Sequence, residues 1–215
     1  MSARERLASA RLYAILDLGY VAEDQVETVV IQLLEGGADL LQLRGKGHDP
    51  NHILELARRI QPLCRRAGVP LIINDYPAVA VEAGADGVHV GQDDGSLFAV
   101  REVAGEGIIV GRSTHSLPQA VAALEEGADY IGFGPLFPTP TKQGRAGIGM
   151  ENIAAAEAEV GSRIPLFCIG GVKGGNLPTV LSAGARRVVI VSGLLLAADV
   201  ARETRRVKRV LTGGC

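Results

Sequence analysis

Eight short apolar runs, spread over the 215 residues of the chain, constrain its fold more than any other feature. Each run has the length of a β-strand and is rich in valine, isoleucine and leucine, as buried parallel strands require. The runs are Leu12–Asp17, Leu40–Arg44, Pro70–Asp75, Gly87–Gly91, Ile108–Ser113, Tyr130–Gly134, Pro165–Gly171 and Val188–Gly193. Segments with helical spacing lie between them, among them Val26–Leu34, Ile53–Cys64 and Leu117–Leu124. This alternation predicts a parallel α/β fold.

A short repeat indicates how the units are arranged. Gly37-Ala38-Asp39, Gly84-Ala85-Asp86, Gly127-Ala128-Asp129 and Gly184-Ala185-Arg186 each follow a helical segment and precede a strand. Glycine there can adopt the left-handed conformation that ends a helix. An open doubly wound sheet is the alternative, but it usually has a G-x-G-x-x-G turn after the first strand, which this chain lacks. We therefore predict one (β/α)₈ TIM barrel over residues 1–215, with its active site at the carboxyl ends of the strands.

Composition excludes several classes of protein. The net charge of −2 does not indicate nucleic acid as an obligate partner, and no apolar stretch is long and uncharged enough for a membrane span. The charged first residues, Met1–Arg11, lack the apolar region of a signal peptide. Cys64, Cys168 and Cys215 are far apart and form neither a metal-ligand pattern nor a disulfide framework. We expect a cytoplasmic protein, with Cys168 as a core residue.

Charged residues of both signs follow the predicted strands. In a closed barrel all eight carboxyl ends surround one pocket, so Asp75 and Asp94 are expected there together with Arg44, Lys46 and Lys142. Two carboxylates can hold Mg²⁺, which takes further ligands from water and phosphate oxygens. Arginine and lysine neutralise the remaining phosphate charge. These residues predict a site for a metal–polyphosphate ligand.

Two further segments favour phosphate binding. After the sixth strand the chain reads G-P-L-F-P-T-P-T-K, from Gly134 to Lys142, and offers two hydroxyls and an ammonium group. Gly170-Gly171 and Ser192-Gly193 end the last two strands, where barrels of this kind usually bind phosphate through backbone N–H groups. From the residues alone, the threonine–lysine segment is assigned to pyrophosphate and the glycines to a second phosphate.

Together these motifs resemble the thiamine-phosphate synthase family. The resemblance rests on L-Y-A-I-L-D, Q-L-R-G-K, I-N-D, G-V-H-V-G-Q-D-D, G-R-S-T-H-S, G-P-L-F-P-T-P-T-K and I-G-G-V, which occur in family order between Leu12 and Gly193. It implies a Mg²⁺-dependent transferase on a (β/α)₈ barrel. Such enzymes join 4-amino-2-methyl-5-hydroxymethylpyrimidine pyrophosphate to 4-methyl-5-hydroxyethylthiazole phosphate and release pyrophosphate. Pyrophosphate leaves first, and the thiazole nitrogen captures the pyrimidine cation.

The resemblance also assigns site residues. It places Mg²⁺ on Asp75 and Asp94, and it implies that Arg44, Lys46, Ser113 and Lys142 serve catalysis. The implied substrate-binding residues are Gln42, Leu43, Arg44, Gly45, Lys46, Asn74, Ser113, Thr139, Pro140, Thr141, Lys142, Gly171, Val191 and Ser192. The resemblance reassigns Thr139 and Thr141 from the pyrophosphate to the thiazole phosphate, which they would bind together with Gly171, Val191 and Ser192. Gly45 stands where the family often has glutamate, and we expect only a changed loop shape or a lost hydrogen bond there.

Two other functions compete with the synthase. A thiazole tautomerase on the same barrel shares the stretch Arg112–Ser116, but such isomerases tend to lack the acidic pair and the complete Thr-x-Thr-Lys. A non-catalytic sensor of phosphorylated ligands would have lost a metal or cation position, and none is lost here. The expected partners are therefore the two small-molecule substrates, not nucleic acid or membrane. The role of His115 and the oligomeric state are left open, with a homodimer as one option.

Overall fold

The eight predicted strands form one closed parallel barrel. The computed structural model describes residues 1–139 and 146–213. Strand order around the barrel follows chain order, and β1 pairs with β8 to close it, with Leu12 opposite Val188. The strands are β1 Leu12–Asp17, β2 Leu40–Arg44, β3 Leu71–Asn74, β4 Gly87–Val90, β5 Ile109–Thr114, β6 Tyr130–Phe133, β7 Leu166–Cys168 and β8 Val188–Ile190. The predicted (β/α)₈ fold is confirmed.

Helices surround the barrel and follow its strands. They are α1 Ala3–Ser9, α2 Val26–Glu35, α3 Pro50–Ala67, α4 Pro77–Glu82, α5 Leu97–Ala104, α6 Leu117–Glu125, α7 Ile153–Ala156, α8 Leu177–Ser182, α9 Ser192–Leu195 and α10 Val200–Leu211. A 3₁₀ turn over Glu23–Gln25 leads into α2, and a π-helical turn over Glu157–Gly161 continues α7. Helix α3 begins earlier than predicted because Asp49 caps it and Pro50 occupies its first turn.

The repeated Gly-Ala-Asp junctions have a common structure. Their glycines all have positive φ, as predicted, with the largest value, 107°, at Gly184. The aspartates add a function that the pattern did not predict, since each accepts a hydrogen bond from the neighbouring odd-numbered strand. Asp86 Oδ2, for example, lies 2.9 Å from the backbone nitrogen of Leu71, and Asp39 and Asp129 bind Leu12 and Val110 in the same way. The junctions thus fix the amino-terminal edge of the barrel.

Two apolar layers hold the fold together. The outer layer lies between strands and helices, and the inner layer fills the barrel. Tyr13, Tyr130 and Phe167 meet edge to face in the inner layer, with ring centroids 5.4–5.8 Å apart. Leu7 of α1 belongs to this layer, so α1 covers the barrel from one end. Cys168 is fully buried in β7, where burial raises the pKa of its thiol to about 12, which confirms it as a core residue.

None of the helices in residues 1–139 and 146–213 combines the length and the apolar character that crossing a bilayer would demand.

Glu157, in the π-helical turn, provides a stability prediction. Its carboxyl is 3% exposed, and burial raises its pKa above 4.5 despite a 3.1 Å hydrogen bond from the backbone nitrogen of Arg186. A raised pKa means that the folded state favours the protonated form. The free energy of unfolding should therefore fall as pH rises from about 4.5 through the raised pKa.

Glu157→Gln should remove this fall and raise the melting temperature at pH 7 by about 2–4 °C for each kcal/mol recovered. Thermal unfolding between pH 4 and pH 8 tests it. Glu159→Gln is the matched control, because Glu159 is exposed on the same turn. Equal pH profiles for wild type and Glu157→Gln would contradict the argument.

Candidate active site at the carboxyl ends of the strands

A cleft of about 710 Å³ opens where the strands end. A smaller one of about 270 Å³ adjoins it, and both are lined by Arg44, Asn74, His89 and Ser113. The side chains that reach them are at inward-facing positions, which alternate along each strand with positions buried under the helices. One continuous site therefore spans most of the barrel mouth.

The acidic side of the site is formed by Asp75 and Asp94. Asp75 follows β3 with φ of 65°, a left-handed conformation that is uncommon outside glycine, and its nitrogen donates to the His89 carbonyl at 2.9 Å. Asp94 Oδ2 accepts from the Gly91 nitrogen at 2.7 Å. Burial raises the pKa of the Asp75 carboxyl, and repulsion from Asp94, which is within hydrogen-bonding reach, adds to it. Two carboxyls this close, one of them partly desolvated, are suited to share a cation.

The residues present fit a magnesium ion. Across residues 1–139 and 146–213, no third histidine, cysteine, aspartate or glutamate joins Asp75 and Asp94 in a ligand cluster. Mg²⁺ commonly takes one or two carboxylates and fills its other positions with water and substrate phosphate oxygens. The donor set is therefore that of a metal–phosphate site rather than of a closed protein cage.

The cationic side faces these carboxylates. Arg44 ends β2 and forms an ion pair with Asp17 at the end of β1, with Nη1 2.5 Å from Oδ2. Asp17 is 3% exposed, and its other oxygen accepts from the Gly19 nitrogen at 2.9 Å. The guanidinium group of Arg44 is thereby held in one orientation. Lys46 lines the smaller cleft, and both cations lower the pKa of Asp75 against the larger effect of burial.

Glycines line the opposite side of the larger cleft. Gly170 and Gly171 follow β7 with φ of 95° and 66°. A Cβ at Gly170 would lie 2.3 Å from the Cα of Pro135, so only glycine allows the segment from Gly134 to Thr139 to pack this closely. Hydrogen bonds from Leu136 to Ile169 and from Phe137 to Gly170 fix the two segments together. Ser192 begins helix α9 and does not extend β8 as predicted.

Most of the described site residues predicted from the sequence lie in these two clefts. The larger cleft is lined by Gln42, Arg44, Asn74, Ser113, Thr139, Gly171, Val191 and Ser192, and the smaller one by Arg44, Lys46, Asn74, Asp75, Asp94 and Ser113. The side chain of Leu43 is instead fully buried under the helices. Pro140, Thr141 and Lys142 lie outside the described residues.

Gly45 is buried directly after β2 and is not among the described residues that line the two clefts. The space that a Cβ would need is occupied by the Cδ1 atoms of Ile53 and Leu18, at 2.4 and 2.7 Å. Glycine at this position is thus matched by two apolar side chains that close the gap. Its role toward a ligand remains a prediction that would involve the backbone.

Sequence reasoning missed the contact of His89, and it left the role of His115 open. His89 lies in β4 and its Nε2 is 2.9 Å from Ser113 Oγ, while His115 Nδ1 donates to the Gly134 carbonyl at 2.5 Å. A signal for His89 was present, because it stands between Val88 and Val90 and strand alternation turns it toward the barrel interior. His115 follows β5 and offered no comparable signal.

A closed parallel barrel with charged side chains of both signs at the carboxyl ends of its strands has the architecture of a (β/α)₈-barrel enzyme. A family model described as thiamine monophosphate synthase matches residues 12–194. The chain therefore belongs to the thiamine monophosphate synthase family, a family of transferases in thiamine biosynthesis.

Individual relatives agree with this family. A thiamine-phosphate synthase of Thermus thermophilus is 45% identical over 84% of this chain and 86% of that protein. A thiamine-phosphate synthase of Thermosynechococcus vestitus is 38% identical over 97% of this chain. This chain spans 58% of the length of that longer protein. A solved thiamine phosphate pyrophosphorylase from Pyrococcus furiosus matches with a TM-score of 0.86, 30% identity and 98% coverage of both chains. These comparisons give the tautomerase alternative no support.

Proposed function

We propose that the protein joins 4-amino-2-methyl-5-hydroxymethylpyrimidine pyrophosphate to 4-methyl-5-hydroxyethylthiazole phosphate, giving thiamine phosphate and pyrophosphate. The observation that carries the proposal is one cleft system with two carboxylates, Asp75 and Asp94, facing two cations, Arg44 and Lys46, and with a glycine-lined wall opposite. This arrangement offers separate places for a pyrophosphate and for a second phosphate. Family membership supports the same reaction.

The pyrophosphate end uses the charged side. We place Mg²⁺ on Asp75 and Asp94, where it would neutralise charge on the departing pyrophosphate oxygens. Arg44 and Lys46, with Lys142, would bind the same oxygens from the other side. Asn74 and Ser113 line the same cleft and would donate hydrogen bonds to the ligand. These side chains assist departure because they stabilise the charge that develops as the bond breaks.

The thiazole phosphate end uses the glycine-lined wall. Backbone nitrogens of Gly171 and Ser192 would bind the phosphate, with Val191 beside them and the hydroxyls of Thr139 and Thr141 completing the set. With these two binding places, the two substrates would lie side by side across the barrel mouth. The thiazole nitrogen can then approach the pyrimidine methylene carbon from the side opposite to the pyrophosphate.

The reaction is proposed to be dissociative. The carbon–oxygen bond to pyrophosphate breaks first, the aminopyrimidine ring stabilises the resulting cation, and the thiazole nitrogen forms the new carbon–nitrogen bond. Such a cation must be kept from water. The cleft supports the exclusion of water, because the apolar side chains of Ile15, Ile169 and Val189 form part of its lining. The unpaired, buried Cys64 and Cys168 fit the reducing cytoplasm predicted for the enzyme.

The direct test is to mix both purified substrates with the protein, with and without Mg²⁺, and to measure thiamine phosphate and pyrophosphate by mass spectrometry. Product is expected only with Mg²⁺. Product in excess EDTA would contradict the metal assignment. Isomerisation of the thiazole in place of coupling would contradict the synthase and restore the tautomerase.

A further prediction concerns Asp17, which orients Arg44 without lining the cleft. Asp17→Asn keeps the shape but removes the charge that holds the guanidinium, so kcat/KM should fall about tenfold, as expected for the loss of one charge-assisted contact. Steady-state kinetics with the pyrimidine pyrophosphate varied measures it. Asp24→Asn is the control, because Asp24 is an exposed acid in the connection that follows β1. Equal losses in the two variants would refute a role specific to Asp17.

A further inference from the structure

Five polar side chains form a continuous line of hydrogen bonds through the barrel interior. Ser113 Oγ lies 2.9 Å from His89 Nε2, and His89 Nδ1 lies 3.0 Å from the hydroxyl of Tyr130. The Tyr130 hydroxyl lies 2.9 Å from that of Tyr13, which accepts a hydrogen bond from Gln42 Nε2 at 2.6 Å. We call these five residues the interior chain. It connects β2, β1, β6, β4 and β5 and ends in the cleft at Ser113.

The two phenols in the middle of the interior chain are shielded from water. Tyr130 is 0% exposed and Tyr13 1%, and burial raises the pKa of each phenol above 10. Each hydroxyl therefore keeps its single proton. Gly111 of β5 makes the arrangement sterically feasible, because a Cβ there would lie 2.0 Å from Cζ of Tyr130. The barrel wall is thus shaped around this one phenol.

We assign one direction to the protons along this line, starting from the amide donor of Gln42. Gln42 Nε2 donates a hydrogen bond to the hydroxyl of Tyr13. Tyr13 therefore donates its own proton to the hydroxyl of Tyr130, which is the acceptor within reach. The hydroxyl of Tyr130 accepts this hydrogen bond and donates one to Nδ1 of His89. The opposite direction at any of these steps would leave a phenol proton buried without an acceptor, which is costly. His89 then carries its proton on Nε2 and donates it to Ser113.

We infer that the interior chain fixes the His89 proton on Nε2 and thereby makes Ser113 a hydrogen-bond donor toward an anionic ligand. Because Ser113 Oγ accepts from His89, its own proton is directed away from the imidazole. Tyr13 and Tyr130 are positioning residues that act through His89. The identity of the ligand rests on the proposed function, whereas the tautomer does not, so the two can fail separately.

The tautomer is measured by ¹⁵N NMR of protein with labelled histidine. The His89 signals are assigned by their loss in His89→Asn, since the chain has only four histidines. The expected result is a protonated Nε2 and an unprotonated Nδ1 in the wild type. Tyr130→Phe should produce a mixture of tautomers, and Tyr20→Phe, outside the interior chain, should change nothing. A wild-type His89 with its proton on Nδ1, or an unchanged tautomer in Tyr130→Phe, would overturn the inference.

Kinetics test the link to Ser113. Tyr130→Phe should lower kcat about tenfold, the equivalent of about one hydrogen bond, and change KM about twofold at most. The same substitution in a Ser113→Ala background should have no further effect, because its route to the ligand is already lost. Additive losses in the double variant would mean that Tyr130 supports only the fold. If Tyr130→Phe does not fold, Tyr13→Phe tests the same cycle, with partial loss of tautomer order expected.

Discussion

Replacing Asp94 with alanine is expected to lower kcat about a thousandfold, which corresponds to about 4 kcal/mol of transition-state stabilisation. The physical reason is the pairing of Asp94 with Asp75 in the smaller cleft, opposite Arg44 and Lys46. With one carboxylate removed, the cation that neutralises the leaving pyrophosphate loses half of its protein ligands. The measurement is kcat as a function of Mg²⁺ concentration.

The chain offers a matched control for this variant. Asp93→Ala removes an exposed carboxylate of the same loop that is not among the described residues lining the smaller cleft, so its kcat should stay within about twofold of wild type. Calorimetric titration of Mg²⁺ in the presence of inorganic pyrophosphate gives a second readout that does not depend on turnover. Unchanged Mg²⁺ binding by Asp94→Ala would exclude Asp94 as a ligand even if the activity fell.

Asp75→Asn is expected to abolish most activity and, at the same time, to stabilise the metal-free protein. In the folded state Asp75 is desolvated, lies beside another carboxylate and adopts a positive φ. Asparagine removes the charge and tolerates this backbone conformation better than most residues. We expect the free energy of unfolding to rise by about 1 kcal/mol, or the melting temperature by about 2–4 °C.

Thermal unfolding without metal tests the stability gain, and the coupling assay tests the loss. Wild type should gain stability when Mg²⁺ and inorganic pyrophosphate are added together, whereas Asp75→Asn should not. Comparison of Asp75→Gly with Asp75→Asn separates the backbone strain from the charge repulsion. Both substitutions remove the charge, and glycine also relieves the strain of the positive φ. A less stable Asp75→Asn would show that attraction from Arg44 and Lys46 outweighs the strain and repulsion described above.

The barrel could be predicted from the sequence because its signals are local. Strand-length apolar runs recur at each unit and left-handed glycines, such as Gly37 and Gly127, at most of them, and each fixes its own segment. Predicted strand ends were less accurate. The predicted strand Pro165–Gly171 became Leu166–Cys168, since the residues that follow it, Ile169, Gly170 and Gly171, line the larger cleft. An apolar run does not distinguish strand residues from residues that line the cleft.

The charged residues of the site could also be predicted, because closure of a barrel brings all strand ends together. The interior chain could not. Tyr13 and Tyr130 look like ordinary apolar strand residues, and their contact depends on opposite walls of the barrel meeting at the width of two phenol rings. Asp17 was noted only as a strand end, since its pairing with Arg44 requires the register between β1 and β2. Such contacts depend on three-dimensional distances that no local pattern contains.

The pairing of β1 with β8 has a consequence for how the protein is made. Strand β1 cannot complete its pairing until β8 has been synthesised, because its partner Val188 lies in the eighth strand of the barrel. Until then the inner layer stays open on one side and the apolar edge of β1 is exposed. Pairing of such distant segments is slow and leaves intermediates prone to aggregation. Synthesis of this enzyme should therefore depend on chaperones more strongly than the stability of the finished barrel would indicate.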